Sequence, residues 1–394
     1  MVFVGERCYK LHRIMLIALG LWPYQKPFIW RMQAVFFFSA HCCNFFFQFT
    51  AFLTTACNNT DCILKRFSYI CLSCVYVLSY YSFYFNSESI KQMLEHIQLD
   101  WKMFKNSDTI KTFEEYLFVS YVFTSCVYII VFIGTFVFTA IECRAVILDV
   151  IIPMNNSRPR KLEVDLEMFV DKKQYFFLYI IQEVLTWVIG VCSIVTTGTV
   201  LTTVAEHCCA AYKIAGCLIQ NTVTIHTLAI PVDQQIPFMH RSICLSVHIH
   251  RRTMEFFKRI VHSFDLWYLP LYLIAVLSLS CFFFRLYNAI TEANDWYDIF
   301  VCCVILYAYL LYMFVGNFLA QSYTEHSIEL LECMYNSLWY VAPLPIQTLF
   351  LIMQKTINSH KIVIGGLFTS SIEGFSTLIT TAVSYFTVIQ TMDL

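Results

Sequence analysis

Seven apolar stretches, each long enough to cross a bilayer, constrain this chain more than anything else in it. They run Ala34–Ala56, Phe67–Phe85, Leu117–Ile141, Tyr175–Val204, Phe264–Phe284, Trp296–Leu319 and Phe368–Met392, each bounded by charges or polar clusters. A helix crosses the hydrocarbon core with about 20 residues at ~1.5 Å each. A backbone in lipid must satisfy its own hydrogen bonds, so stretches of this length are expected as helices. Composition agrees, with 58% of residues hydrophobic, 13% charged and a mean hydropathy of +0.62. The expected fold class is an all-α membrane protein with seven transmembrane helices. A net charge of −1 without a basic arm points away from nucleic acid.

Two signals orient the chain. With the amino terminus inside, most of the 26 Lys and Arg fall on the cytoplasmic side, as the positive-inside rule asks. The sequons at Asn58 (NNT) and Asn155 (NNS) then fall in outer loops, as candidate glycosylation sites. The expected topology is therefore inverted, with a cytoplasmic amino terminus and an extracellular carboxyl terminus. The first 33 residues read as a cytoplasmic segment that partly dips into the membrane, with no cleavable leader. Inner segments such as SESIKQMLEHIQLDWKMF (Ser87–Phe104) carry helical periodicity with interspersed charge, expected as helices packed below the bilayer. A short apolar piece, Pro343–Gln354, is too short to span and reads as a buried helix of that inner region. Most of the 18 cysteines sit in apolar runs as small hydrophobes; Cys57 and Cys62, flanking a polar loop, are the one plausible disulfide.

Enzyme chemistry has no footing. HCC at His207–Cys209 and HIH at His248–His250 lack a second pair at zinc spacing. The sequence holds no phosphate loop, HExxH or GxSxG. Neither metal nor cofactor is expected.

Glu183 is the exception among the apolar spans, because a carboxyl at that depth faces either a cavity or a partner helix. Tyr179 and Trp187, four residues to either side, share its helix face and would make an aromatic wall with one polar group. Hydrogen bonding of Glu183 to a neighbouring helix is the structural alternative. Tyr76, Tyr80, Gly134, Phe138 and Tyr307 complete a candidate apolar ligand cavity, although aromatics of this kind also serve helix packing.

The last stretch places Glu373, Thr377, Thr381 and Ser384, then Val388 and Met392, at steps of four, four, three, four and four. These positions share one helix side. Hydroxyls in a lipid-facing helix can bond back to the preceding turn, but an acid cannot be hidden that way. The stripe reads as a water-lined pore with an apolar constriction at Val388 and Met392 that gates by dewetting.

Several segments together resemble the insect odorant receptors: CMYNSLWY (Cys333–Tyr340), PLPIQTLFLIMQK, SIEGF (Ser371–Phe375) and the terminal SYFTVIQTM (Ser384–Met392). GLWP near the start and EHCCAAYKIAG after the fourth span extend the resemblance along the chain. The resemblance implies a ligand-gated, non-selective cation channel of the plasma membrane of olfactory sensory neurons. It implies a heterotetramer with the co-receptor Orco, opened by a small hydrophobic odorant or pheromone. The long inner insertion of the co-receptor is lacking, which implies a tuning receptor. By the family pattern the gate falls on Val388 and Met392 with Thr391 beside it, Glu373 matches an acidic position, and Gly134 with Phe138 matches a pocket pair. The expected division is 1–33 as the amino-terminal segment, 34–319 as a six-helix ligand-binding bundle, and 320–394 as anchor helices plus the pore-lining seventh helix. A seven-helix receptor signalling through a G protein, or a gustatory-type channel, is the alternative.

Overall fold

The protein is described from a computed structural model covering residues 6–54, 57, 60–104, 109–152, 162–172, 174–293, 296–356 and 361–393. Asn58 and Asn155 lie outside the described residues. The chain runs α1 (Glu6–Ala18), α2 (Pro27–Thr54), α3 (Thr60–Phe85), α4 (Ser87–Phe104), α5 (Ile110–Glu142), α6 (Arg144–Ile151), α7 (Phe176–Gln220), α8 (Ile225–Leu228), α9 (Val232–Asn288), α10 (Trp296–Asn336), α11 (Leu344–Thr356) and α12 (Ile372–Asp393). A short hairpin, β1 (Val363–Ile364) with β2 (Phe368–Thr369), precedes the last helix. Seven of these helices, α2, α3, α5, α7, α9, α10 and α12, are long and apolar enough to span a membrane.

Three of the seven far exceed a bilayer. α7, α9 and α10 have 45, 57 and 41 residues, where about 20 suffice. Their extensions pack with α1, α4 and α11 around the larger core, which includes Trp101, Phe113, Cys208, Tyr212, Phe256, Tyr323 and Phe350. α7 runs unbroken past Val204, and there Ala205, Ala210, Ala211 and Ala215 are all buried, small enough to let neighbouring backbones approach. The smaller core joins α3, α9, α10 and α12 through Tyr69, Tyr76, Phe282, Tyr309 and Ala382. The seventh helix begins at Ile372 instead of Phe368, because Phe368 and Thr369 pair with the preceding strand.

Within the spans, polar side chains join helices to one another. Asn44 and Gln48 on α2 donate to Ser73 Oγ on α3 at 3.0 and 3.1 Å. Ser79 meets Thr197 at 2.8 Å, Ser120 meets Thr203 at 2.8 Å, and Tyr309 donates to Ser278 at 3.0 Å. Each such bond is worth roughly 0.5–1.5 kcal/mol in a membrane. Cys57 and Cys62 are joined as a disulfide at the start of α3.

The larger core is organised around one buried acid. Asp100 on α4 receives Arg252 at 2.8 Å and His207 at 3.0 Å, with His96 at 3.4 Å. Burial opposes charge on Asp100, but the hydrogen bond and charge of His207, with His96 and Arg252, hold its carboxyl below the ordinary range. Burial brings His96 down from 6.5 to about 4, against the pull of Asp100. It does the same to His12, whose Nε2 meets Thr203 Oγ1 at 2.9 Å. Both histidines are thus neutral in the folded protein at pH 7, and the unfolded chain binds protons first. Stability present above pH 6.5 is lost as the pH falls toward about 4. A shift of that size is worth on the order of 3 kcal/mol. The thermal midpoint of detergent-solubilised protein should fall across that window, and His96→Phe, which keeps the stack on Phe256, should flatten the slope. An unchanged slope would leave His96 without this role.

Candidate ligand site and pore

At the end of the bundle away from the long extensions, residues 163–170 lie as a strap across the helices. Almost every residue of it is tied down. The Glu163 carboxylate accepts from Tyr69 at 2.6 Å and pairs with Lys65 at 3.2 Å and Arg285 at 3.1 Å. Asp165 pairs with Arg66 at 3.0 Å. The Glu167 amide donates to Phe47 O at 3.1 Å and its carbonyl accepts from Thr50 at 3.0 Å. The Tyr179 hydroxyl accepts from the Met168 amide at 3.2 Å and donates to Val170 O at 3.1 Å. Arg285 is wholly buried, bonds Asp298 at 2.6 Å as well, and lies over the rings of Tyr69 and Phe282. Burial alone would raise the Glu163 carboxyl, but Lys65 and Arg285 hold it below its ordinary range. Beneath the strap is a cavity of about 10 Å³ lined by Gln48, Lys65, Arg66, Tyr69, Val164 and Asp165, room for roughly one water.

Next to the strap, Trp187 on α7 stacks on Phe138 of α5 at 4.5 Å and meets Tyr76 of α3 edge-on at 6.5 Å. Three of the sequence-selected residues thus come together from three helices. Glu183 joins them one turn away, its Oε1 accepting from the Val164 amide at 3.2 Å. Others do not join. Tyr307 is 68% exposed, on the outer side of α10. Gly134 is exposed with open space where a Cβ would stand. Tyr80 belongs to the other core, donating to Leu19 O at 3.1 Å beside Phe37. Tyr179 is committed to the strap. These four had the right residue type and depth, but helix rotation and neighbours decide which way a side chain faces.

Gly190, one turn beyond Trp187, is what admits the Tyr76 ring. A Cβ there would stand 2.2–2.6 Å from three ring atoms. Gly190→Ala should therefore push Tyr76 off Trp187, and if this cluster takes a ligand it should shift apparent affinity by tenfold or more at unchanged surface level, measured by dose–response. Unchanged potency would detach this cluster from ligand binding.

The last helix is built differently from the other exposed span. α5 and α12 are equally little covered, with 17% of their most apolar stretch buried. The surface of α5 shows Phe118, Ile129, Ile130, Phe132 and Phe136, as lipid requires. α12 packs Phe375, Leu378, Ala382 and Phe386 against α9 and α10, and Ser280 donates to Ala382 O at 3.0 Å. At about 100° per residue, the ridge opposite that face is Glu373, Thr377, Thr380, Ser384, Thr387 and Thr391, all exposed. The hydroxyls each bond back within α12, Thr377 to Glu373 O at 3.0 Å and Ser384 to Thr380 O at 2.8 Å among them. Thr380 and Thr387 escaped the sequence reading, although their spacing of three and four was visible. Thr381 lies on the flank of the ridge, half-buried; Val388 and Met392 are exposed at its far end. The base of α12 is set by buried Asn317, which accepts from Ser370 Oγ and the Ser371 amide at 3.1 Å each. Ser371 Oγ in turn accepts from the Gly374 amide at 3.0 Å. A Cβ at Gly374 would stand 2.2 Å from Thr369 O, so only glycine lets the hairpin turn this closely into the helix.

No family model matches the sequence, and no curated protein does. Solved structures do. The insect olfactory receptor OR5 from Machilis hrabei in complex with eugenol superposes with a TM-score of 0.76 over 98% of each chain, at 14% identity. A further structure of that receptor gives 0.72, again over 98% of each, at 13% identity. The fold is that of the insect olfactory receptors. At such low identity the likeness is carried by helix lengths, order and crossings, not by shared side chains. The superposition takes in the over-long α7, α9 and α10 and the short α11 before α12, and with seven apolar spans the chain is a multi-pass membrane protein.

Proposed function

We propose that this chain is an odorant-gated subunit of a non-selective cation channel, with its amino terminus in the cytoplasm. The observation that carries the reading is the hydroxyl ridge of α12. It points directly away from the chain's own core and has a composition suited to water instead of lipid. Copies of such a subunit arranged around an axis would turn these ridges on one another as a wet pore with Glu373 at the inner mouth. Val388 and Met392, at the outer end, would be the constriction. The exposed Tyr335, Tyr340, Val341, Leu344, Leu351 and Ile352 near α11 form an apolar surface of the kind that subunits cover, and we assign it to assembly with the co-receptor Orco. The ligand, a small apolar odorant or pheromone, would part Trp187, Phe138 and Tyr76, and its preference for the parted state would favour the open pore. Olfactory sensory neurons are the proposed site of action.

Current recordings from oocytes test this, with the chain expressed alone and with the co-receptor, against an odorant panel. Met392→Ala or Val388→Ala should raise resting leak several-fold without moving the ligand order of potency. A change of ligand order with unaltered leak would mean that pore and pocket have been exchanged. Odorant-evoked second-messenger signalling without current would overturn the channel reading.

A further inference from the structure

The aromatic cluster has one polar neighbour that packing leaves incomplete. Glu183 is 4% exposed, and its Oε1 is engaged by the Val164 amide. Its Oε2 has no hydrogen-bond partner among the described residues. A buried carboxyl oxygen without a donor is costly, so its presence calls for an explanation. Glu183 stands at the seam between two environments. On one side is the charged strap; on the other, one helical turn away, is Trp187 with Phe138 and Tyr76. The charges of the hub point the same way. Glu163 and Asp298 are matched by Lys65 and Arg285, and Glu142 accepts from Tyr297, whose ring carries Arg144. Glu163 and Asp298 thus each have a cation in contact and Glu142 reaches one through Tyr297, whereas Glu183 makes no ion pair among the described residues.

We propose that Glu183 Oε2 is the polar end of the ligand subsite, and that this chain selects apolar ligands whose head donates a hydrogen bond, an alcohol or a primary amine. The proposal deepens the ligand site assigned above and rests on it. A site built to accept a hydrogen bond rejects an analogue that lacks the donor, because its own buried oxygen is then left unpaired. The apolar tail would lie against the rings of Trp187, Phe138 and Tyr76, which discriminate shape only weakly.

Matched ligands test this. Each set shares one skeleton, from pentyl to decyl, and differs in the head: primary alcohol, primary amine or methyl ether. In oocytes with the co-receptor, the alcohol or amine should act at concentrations at least about tenfold below the ether, equivalent to ~1.4 kcal/mol. Glu183→Gln keeps an oxygen for the Val164 amide and replaces the free oxygen with a donor. The potency ratio should then collapse or reverse in favour of the ether. Loss of preference for alcohol and amine together marks a carboxylate that accepts from either head, and loss for the amine alone marks an ion pair; either supports the proposal. A Glu183 that only secures the strap would lower all responses in parallel, with the ratio unchanged, and that result would overturn it. The same sets applied to the purified full chain, read as thermal stabilisation, separate the two claims. Donor-selective stabilisation without current retires the channel reading and keeps the subsite. Equal stabilisation by ether and alcohol, or none by any set, retires the subsite.

Discussion

Arg285→Leu should all but remove the protein from the cell surface. The guanidinium is fully buried and holds Glu163 at 3.1 Å and Asp298 at 2.6 Å. Removing one partner of a buried ion pair leaves an uncompensated charge and costs roughly 3–5 kcal/mol. That is a large share of the ~5–15 kcal/mol by which a folded domain is usually stable. The loss reaches further than one contact, because Glu163 anchors the strap that also engages Glu183 and Tyr179. Surface biotinylation and the thermal midpoint in detergent read the effect. Arg285→Met with Glu163→Gln and Asp298→Asn, which removes the charges along with the cation, should recover part of the surface level. If Arg285→Leu alone reached the surface at the normal level, the Arg285 ion pairs would not be what closes this end of the bundle.

The second large effect belongs to the hydroxyl ridge. Thr380→Val, Ser384→Ala and Thr387→Val together should cut ligand-evoked current at least about tenfold at equal surface expression. Valine matches threonine in shape, and every hydroxyl involved bonds only within α12, so the helix itself loses little. What changes is the wetting of the face opposite Ala382, since an apolar pore lining favours expulsion of water. Replacing Phe132 and Phe136 on α5 by Leu, at a comparably exposed position, should leave conductance alone. Equal sensitivity of both surfaces would mean that the α12 ridge meets protein or lipid, not permeating ions.

How much was legible beforehand follows from which forces act locally. Ser87–Phe104 could be read to its ends because its amphipathic periodicity and interspersed charge lie within the segment itself. The seven spans could be read because lipid imposes length and composition on each one separately. The ridge of α12 was half legible: a polar stripe was evident, but its centre could not be placed until Ala382 and Phe386 were seen to face α9. Trp187, Phe138 and Tyr76 do converge, while Tyr307 and Gly134, chosen by the same criteria, face outward. The strap was hidden altogether. Residues 163–170 carry no periodicity, and Arg285 sits just past an expected span end, where a solvated loop charge is the ordinary reading.

Length, apolar runs and helical period therefore determined by themselves that this chain is a seven-span helical membrane protein whose last helix is unlike the others. Tertiary structure alone decided which face of each helix meets a neighbour, that one arginine would be buried between two acids, and that Glu183 would keep an oxygen with no donor among the described residues. The physical reason is that crossing a bilayer is a demand on each segment singly. The direction of a side chain, by contrast, is set by rotation and by contacts between residues more than a hundred positions apart, such as Glu163 with Arg285 and Ser280 with Ala382.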